Sequence, residues 1–286
     1  MSTENTAPAP GGDAPAEATA GTPGTGTPGT GTSGAGRWGF DFTGKRVVIT
    51  GGSRGMGYEM ARAFSSLGAE VAIASRKLAS CEDAAARITA ETGGRVHPYA
   101  LQAADWDQCT EFAHRVWDDL GGVDVLVNNA GSSPLYDSVA GISEELYDKV
   151  IGLNLKGPFR LSALLGEWMA ERGGGSIVNI SSIAALHPKP STVPYSAAKA
   201  GLNATTIALA HAYGPSVRVN AVVPGTFLTD IAKHWDMEAF GERAQSFAAE
   251  RGGEPDEIVG AVLYLASPLA SYTTGALLTV DGGAPS

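Results

Sequence analysis

Cysteine is scarce in this 286-residue chain: it has two, Cys81 and Cys109. Two thiols cannot staple a domain of this size, so a disulfide framework is excluded and a reducing compartment is expected. Long apolar runs are lacking too, and none approaches the roughly 18–20 residues that a membrane helix needs. There is no basic excess: the net charge is −10. That argues against nucleic acid as the main partner, because phosphate binding needs a basic patch. The first residues carry neither a basic cluster nor the apolar core of a signal peptide. The five histidines (His97, His114, His187, His211 and His234) show no ligand spacing, so no metal site is expected. These absences leave the expectation of a cytoplasmic protein with no membrane or nucleic-acid partner.

What is present divides into a tail and a domain. Residues 1–36 are nearly all Ala, Gly, Pro, Thr and Ser, with little side-chain surface to offset the entropy of ordering. A disordered appendage is expected there. The tail holds three of the 30 acids (Glu4, Asp13, Glu17) and none of the 20 bases, so the domain from 37 to 286 has 27 acids against 20 bases. Within it, short apolar runs at Lys45–Thr50, Glu70–Ser75, Arg95–Leu101, Val123–Asn128, Ser176–Ser181, Val217–Val223 and Leu277–Val280 read as strands. Ala-rich helical stretches lie between most of them, including Ala79–Glu91, Asp107–Leu120, Glu144–Glu171 and Ser196–Tyr213. Alternation of this kind means βαβ crossovers. The expected fold class is α/β: one doubly wound domain with a seven-stranded parallel sheet and helices on both faces.

The first strand runs into Thr50-Gly51-Gly52-Ser53-Arg54-Gly55-Met56-Gly57, and a helix follows. Gly51 permits a tight turn, Gly55 admits a pyrophosphate close to the backbone, and Gly57 lets helix and strand approach. The helix N-terminus supplies unpaired N–H groups and the positive end of its dipole. The second strand ends at Ser75-Arg76-Lys77, where an acid would bond a ribose 2′-hydroxyl and an arginine suits a 2′-phosphate. With Arg54 reaching the same region, NADP(H) is favoured over NAD(H), which stays open if Arg76 is a solvated loop charge.

Four further features follow in order: Asn128-Asn129-Ala130-Gly131 closing the fourth strand, Asn154 within a long helical stretch, Ser181-Ser182 ending the fifth strand, and Tyr195 four residues before Lys199. An i,i+4 pair shares one helix face. A Lys ammonium about 4 Å from a phenol, at an effective dielectric of about 20, favours phenolate by roughly 4 kcal/mol, or about three pKa units. Tyr195 would then exchange a proton with a carbonyl or alcohol oxygen near neutral pH, with Ser182 bonding the same oxygen.

At these residues the chain resembles the short-chain dehydrogenase/reductase family, from about Lys45 to Gly283. The motifs are T-G-x-x-x-G-x-G, N-N-A-G, the helix asparagine, a serine thirteen residues before the tyrosine, Y-x-x-x-K, and Pro224-Gly225 after the sixth strand. The resemblance implies a Rossmann-type fold with an Asn154–Ser182–Tyr195–Lys199 tetrad. Tyr195 would be general acid/base, Lys199 would hold the nicotinamide ribose, and Asn154 would hold a water linking Lys199 to solvent. Ser53, Arg54, Met56 and the three glycines would bind the cofactor, Asp105 would contact adenine, and Asn128 would support the central strands. Asn129, Ala130, Gly131, Pro224, Gly225 and Thr229 would complete the cofactor site, with Val223–Thr229 along the nicotinamide. A homotetramer or homodimer is implied as well.

The expected substrate is a small ketone or secondary alcohol. Alternatives are a 3-oxoacyl-thioester (acyl-carrier-protein) reductase, an NAD-linked sugar or polyol dehydrogenase, and, from another class, a non-catalytic NADP(H) sensor. A sensor would have no need of an intact tetrad. Residues 225–253 are expected to form a substrate lid, where Trp235, Met237 and Phe240 either meet an apolar substrate or pack the lid itself. The lid is acidic, with Lys233, Arg243 and Arg251 against Asp230, Asp236, Glu238, Glu242 and Glu250, which counts against an acidic carrier protein. Tyr136 and His187 are expected on loops near the substrate, and Cys81 and Cys109 are expected to pack in helices.

Overall fold

The computed structural model describes residues 39–229 and 237–285. The expectations for the tail, for Trp235 and for the lid charges Asp230, Lys233 and Asp236 lie outside the described residues. Seven strands among the described residues form one parallel sheet: β1 (Arg46–Thr50), β2 (Glu70–Ser75), β3 (Val96–Ala100), β4 (Val125–Asn128), β5 (Gly175–Ile180), β6 (Val217–Pro224) and β7 (Leu277–Val280). Their spatial order is β3-β2-β1-β4-β5-β6-β7. Between them run α1 (Gly55–Ser66), α2 (Leu78–Thr92), α3 (Trp106–Leu120), α4 (Glu144–Ile151), α5 (Gly157–Glu171), α6 (Val193–Tyr213), α7 (Met237–Ala244) and α8 (Val259–Ala266).

The β1 sequence Arg-Val-Val-Ile-Thr shows why the sheet is covered on both faces. Val47 and Ile49 join a core with Met60 and Phe64 of α1, Ile88 of α2 and Val262 of α8. Val48 points the other way, into a core with Phe112 of α3 and Leu161 and Leu165 of α5. Side chains alternate across a strand, so a run that is apolar at every position needs helices on each side. Cys81 and Cys109 are unpaired and buried within these two cores, as expected.

The long stretch read as one helix from 144 to 171 is interrupted. A single wide π turn, Gly152–Lys156, joins α4 to α5. The glycines at its two ends explain it. A Cβ on Gly157 would overlap the Ala103 carbonyl oxygen, and one on Gly152 would lie 3.1 Å from the Ala104 oxygen. The helix is thus pressed against the segment after β3, and the wide turn turns Asn154 fully inward at 0% exposure. Such turns tend to occur at functional sites.

Candidate active site

β1 pairs with β2 on one side and β4 on the other, so connections leave its C-terminal end in opposite directions. A crevice opens at such a switch point. Here it is a cleft of about 660 Å³. Gly51, Ser53, Arg54, Gly55, Met56 and Gly57 line it from the glycine turn, Ser75 and Arg76 from the end of β2, and Asn129, Ala130 and Gly131 from the end of β4. Thr229 closes one side. Lys77, Ser80, Leu101, Ala103, Lys149, Val150 and Leu153 also line it, without having been singled out from sequence.

The glycine turn is shaped for close approach. A Cβ on Gly57 would overlap the carbonyl oxygen of Gly51, so no other residue fits where α1 starts. Arg54 caps that helix in extended conformation without a side-chain hydrogen bond, and no acid stands in the first turn. The orphan N–H groups of α1 are therefore not taken up by a cap. Four cations line the cleft (Arg54, Arg76, Lys77, Lys149), and no Asp or Glu does among the described residues. In a chain of net charge −10 that is a local reversal of sign. These residues fit a phosphate-bearing dinucleotide.

Thr50 builds the floor. Its Oγ1 accepts the backbone N–H groups of Asn129 and Ala130, each at 3.0 Å. In return Asn129 Nδ2 donates to the carbonyls of Thr50 at 2.9 Å and Gly51 at 3.2 Å. The N-N-A-G segment is stitched to the glycine turn, and the Asn129 side chain is engaged in holding that turn. Ser75 Oγ is likewise engaged, 3.0 Å from the Cys81 sulfur. Sequence reasoning missed Thr50 as a site residue, although its place before Gly51 was visible.

The tetrad residues gather at the ends of β4 and β5 and the start of α6. Lys199 is 2% exposed, and its Nζ donates to the Ile180 carbonyl at 2.7 Å. That nitrogen lies 5.8 Å from the centre of the Tyr195 ring. Burial pulls the Lys199 pKa down to about 7. Burial also pushes the Tyr195 phenol above its usual value, while a hydrogen bond from Ser182 pulls in the opposite direction. The sequence expectation had the ammonium dominating the phenol. The structure differs because desolvation penalises phenolate and ammonium alike.

Ser182 Oγ accepts the Ala184 N–H at 3.1 Å, which leaves its own proton free to donate. Asn154 Nδ2 donates to the carbonyls of Ser132 and Val150, both at 2.9 Å, and its Oδ1 accepts from Ser132 N at 3.3 Å. A Cβ built on Gly131 would lie 2.9 Å from Asn154 Oδ1 and 3.5 Å from Lys199 Nζ, so the two groups converge over that glycine. Next door, Ser181 Oγ donates to Asn203 Oδ1 at 2.6 Å and ties α6 to the end of β5.

Other candidates sit elsewhere. Asp105 is exposed and caps α3, its Oδ1 accepting from Gln108 N at 2.9 Å. It does not line the cleft; Leu101 and Ala103, which do, occupy that side. Helix capping takes one of its two carboxylate oxygens, Oδ1. Pro224 ends β6, Gly225 follows it with its N–H donating to the Val280 carbonyl, and neither is among the cleft-lining residues. Asn128 Nδ2 bonds Asn179 Oδ1 and Ser162 Oγ, each at 2.9 Å, tying β4 to β5 and α5. Phe240 is 9% exposed and packs with Ala244 and Phe247, whereas Met237 is 52% exposed. His187 is exposed.

A family model described as Enoyl-(Acyl carrier protein) reductase matches residues 51–285. Human "Dehydrogenase/reductase SDR family member 4" is 34% identical over 249 residues, covering 85% of this chain and 88% of the relative. The chain belongs to the short-chain dehydrogenase/reductase family. L-rhamnose 1-dehydrogenase (NAD(P)(+)) of Azotobacter vinelandii is 38% identical over 246 residues, with 84% of this chain and 96% of that protein covered. Among solved structures, a short-chain type dehydrogenase/reductase from Mycobacterium marinum superimposes with a TM-score of 0.79 at 31% identity, covering 85% and 96% of the two chains. Family members are oxidoreductases that use a nicotinamide dinucleotide, NAD(H) or NADP(H), on small molecules. No helix among the described residues is long and apolar enough to cross a membrane.

Proposed function

We propose that this short-chain dehydrogenase/reductase prefers NADPH and interconverts a ketone and a secondary alcohol, with Tyr195 as general acid/base. One observation carries the cofactor preference: the cleft lining holds four cations and no carboxylate among the described residues. Arg76 and Lys77 follow β2, where an acid would select NAD. Bound there, the nicotinamide supplies or accepts hydride at the substrate carbon. Every proton is left to the protein. The raised Tyr195 pKa keeps the phenol protonated at neutral pH, ready to donate to the oxygen as a carbonyl is reduced. Ser182, held by Ala184 N–H, donates a second hydrogen bond to that oxygen. Lys199, once charged, stabilises the phenolate left behind.

An NAD-linked sugar or polyol dehydrogenase is the second reading, favoured by the likeness to the Azotobacter enzyme. A carrier-protein thioester substrate is disfavoured, because Arg251 is paired with Glu257 at 2.6 Å and Arg243 lies over the rings of Phe240 and Phe247. Among the described residues of that segment, both arginines are thus engaged, which leaves little free basic charge for an acidic partner. The family likeness supports a homotetramer or homodimer, which light scattering would measure, and a cytoplasmic location is in keeping with the cysteine usage. The deciding experiment is a fluorescence titration with NADPH and NADH, repeated on Arg76→Asp. NADPH should bind at least tenfold tighter and the variant should lose that edge, about 1.4 kcal/mol. Equal or tighter NADH binding would move the reading to an NAD-linked dehydrogenase. Tyr195→Phe should abolish turnover and leave cofactor binding intact.

A further inference from the structure

We infer that Tyr136 is a positioning residue: its phenol fastens the first turn of α6, which carries Tyr195, to the segment that leaves Asn154. This rests on the proposed role of Tyr195 as general acid/base and adds what holds that side chain in place. A pair of hydrogen bonds across the site carries it. Tyr136 Oη donates to the Pro190 carbonyl at 2.6 Å and accepts from the Val193 N–H at 2.8 Å. These two partners flank Thr192, the N-cap position of α6. Thr192 makes no side-chain cap bond of its own. Its hydroxyl is shared between Ser196 Oγ at 2.9 Å and the Lys189 carbonyl at 3.2 Å. Tyr136 thus does from another segment what the N-cap residue leaves undone.

The first turn is the part of α6 that needs such a hold. N–H groups at a helix start have no partner within the helix. Lys199, one turn further on, is anchored to β5 through the Ile180 carbonyl, and Asn203 beyond it is held by Ser181. Tyr195 comes before both anchors. At its other end the Tyr136 segment is tied to Asn154, which donates to the Ser132 carbonyl at 2.9 Å and accepts from the Ser132 N–H at 3.3 Å. Residues 132–136 therefore strap the wide turn at Asn154 to the turn at Tyr195. Pro134 within the strap limits its backbone freedom.

The strap also packs against the phenol it positions. Tyr195 lies beside Pro134, Tyr136, Leu146, Val150 and Pro194, and the space left among them is about 10 Å³, no more than a single water takes. That flank is a wall of side chains. Tyr136 does not line the cofactor cleft. Its loss therefore acts on how Tyr195, from α6, and Ser182, from the end of β5, meet the same oxygen. A misplacement of about 1 Å costs a catalytic group on the order of 100-fold in rate.

The experiment uses the full chain. Tyr136→Phe removes the hydroxyl and keeps the ring, and Tyr272→Phe, at a fully exposed tyrosine, is the control. Tyrosines are labelled with carbon-13 at Cζ, and the Tyr195 signal is assigned by its absence from Tyr195→Phe. Spectra are recorded with NADP+ and with NAD+. Reduction of cyclohexanone, acetophenone, 2,3-butanedione and D-fructose by NADPH and NADH gives kcat and KM, and nicotinamide fluorescence gives the cofactor Kd. We expect Tyr136→Phe to shift or broaden the Tyr195 signal and to lower kcat at least tenfold. Cofactor Kd should change less than twofold, and the melting temperature should fall by no more than about 4 °C, as befits one lost hydrogen-bonding group. Tyr272→Phe should match the wild type throughout. A wild-type Tyr195 signal and kcat in Tyr136→Phe would overturn the positioning role and leave the reading of Tyr195 intact. A loss of kcat matched by an equal loss of cofactor affinity would overturn it too, as general damage to the domain. If Tyr195→Phe turns ketones over like the wild type, or no ketone is turned over, the general-acid reading fails on its own. The carbon signal then decides the strap: moved by Tyr136→Phe it upholds the tether, unmoved it overturns it.

Discussion

Replacing Lys199 by methionine should make the protein more stable at pH 6 and fail to do so at pH 10. Lys199 is 2% exposed, and burial lowers its pKa from 10.5 to about 7. That gap of about 3.5 units corresponds to about 5 kcal/mol of penalty on the folded state at 1.36 kcal/mol per unit. The sign follows from proton counting. Below pH 7 both states hold the proton and the penalty is fully present. Between 7 and 10.5 the unfolded chain binds more protons than the folded one, so stability rises with pH and the penalty fades. At pH 10 less than about 1 kcal/mol of it remains. Methionine has a similar shape and no charge, but it orphans the Ile180 carbonyl that Nζ now satisfies at 2.7 Å. An orphaned acceptor costs about 1–3 kcal/mol at any pH. The variant should therefore gain about 2–4 kcal/mol at pH 6 and come out even or slightly worse at pH 10. Urea unfolding of wild type and variant at pH 6, 8 and 10, at one protein concentration, measures this difference. A difference that is flat with pH, or a less stable variant at pH 6, would refute the reasoning. A positive result would mean that this lysine is kept for catalysis at the expense of stability.

Three further substitutions probe the scaffold. Thr50→Val keeps the shape but leaves the N–H groups of Asn129 and Ala130 without their acceptor, and should cost about 2–4 kcal/mol by denaturant unfolding and weaken NADPH binding. Gly157→Ala drives a methyl into the Ala103 carbonyl and should cost about 3 kcal/mol or more, with kcat falling further than stability predicts because Asn154 shares the wide turn. Asp124→Asn tests an ion pair. Burial raises the Asp124 carboxyl, but the side-chain and backbone hydrogen bonds of Arg46 outweigh burial and hold it below 3.8. Its stabilisation is present above the unfolded pKa and is lost as pH falls through the lower folded value. The variant should be less stable at pH 7 by about 1–3 kcal/mol, and the difference should shrink below pH 4; a constant difference would assign the effect to packing.

Much of the scaffold was legible because it rests on local rules. Apolar strands such as Arg46–Thr50 can be read from composition, since a parallel strand needs no polar face. The glycine turn and the Tyr195–Lys199 spacing are likewise short-range patterns that put groups on one turn or one helix face. Boundaries moved by a residue or two, as at β3, where helix and strand ends lack sharp chemical signals. The π turn at Gly152–Lys156 was not legible, because its cause is the carbonyl of Ala103 arriving from another segment.

By itself, then, the sequence determined the order of strands and helices, the glycine turn, the tetrad and the cation after β2, since each is written in neighbouring residues. The tertiary structure alone decided what those residues do with their hydrogen bonds. It put Asp105 to capping α3, Asn129 to holding the glycine turn, and the hydroxyl of Tyr136 to the carbonyl of Pro190. It also decided that burial, opposed by a hydrogen bond from Ser182, raises the Tyr195 phenol. The physical reason is common to all of these: a polar group's partner, and the water it loses, come from residues distant in sequence.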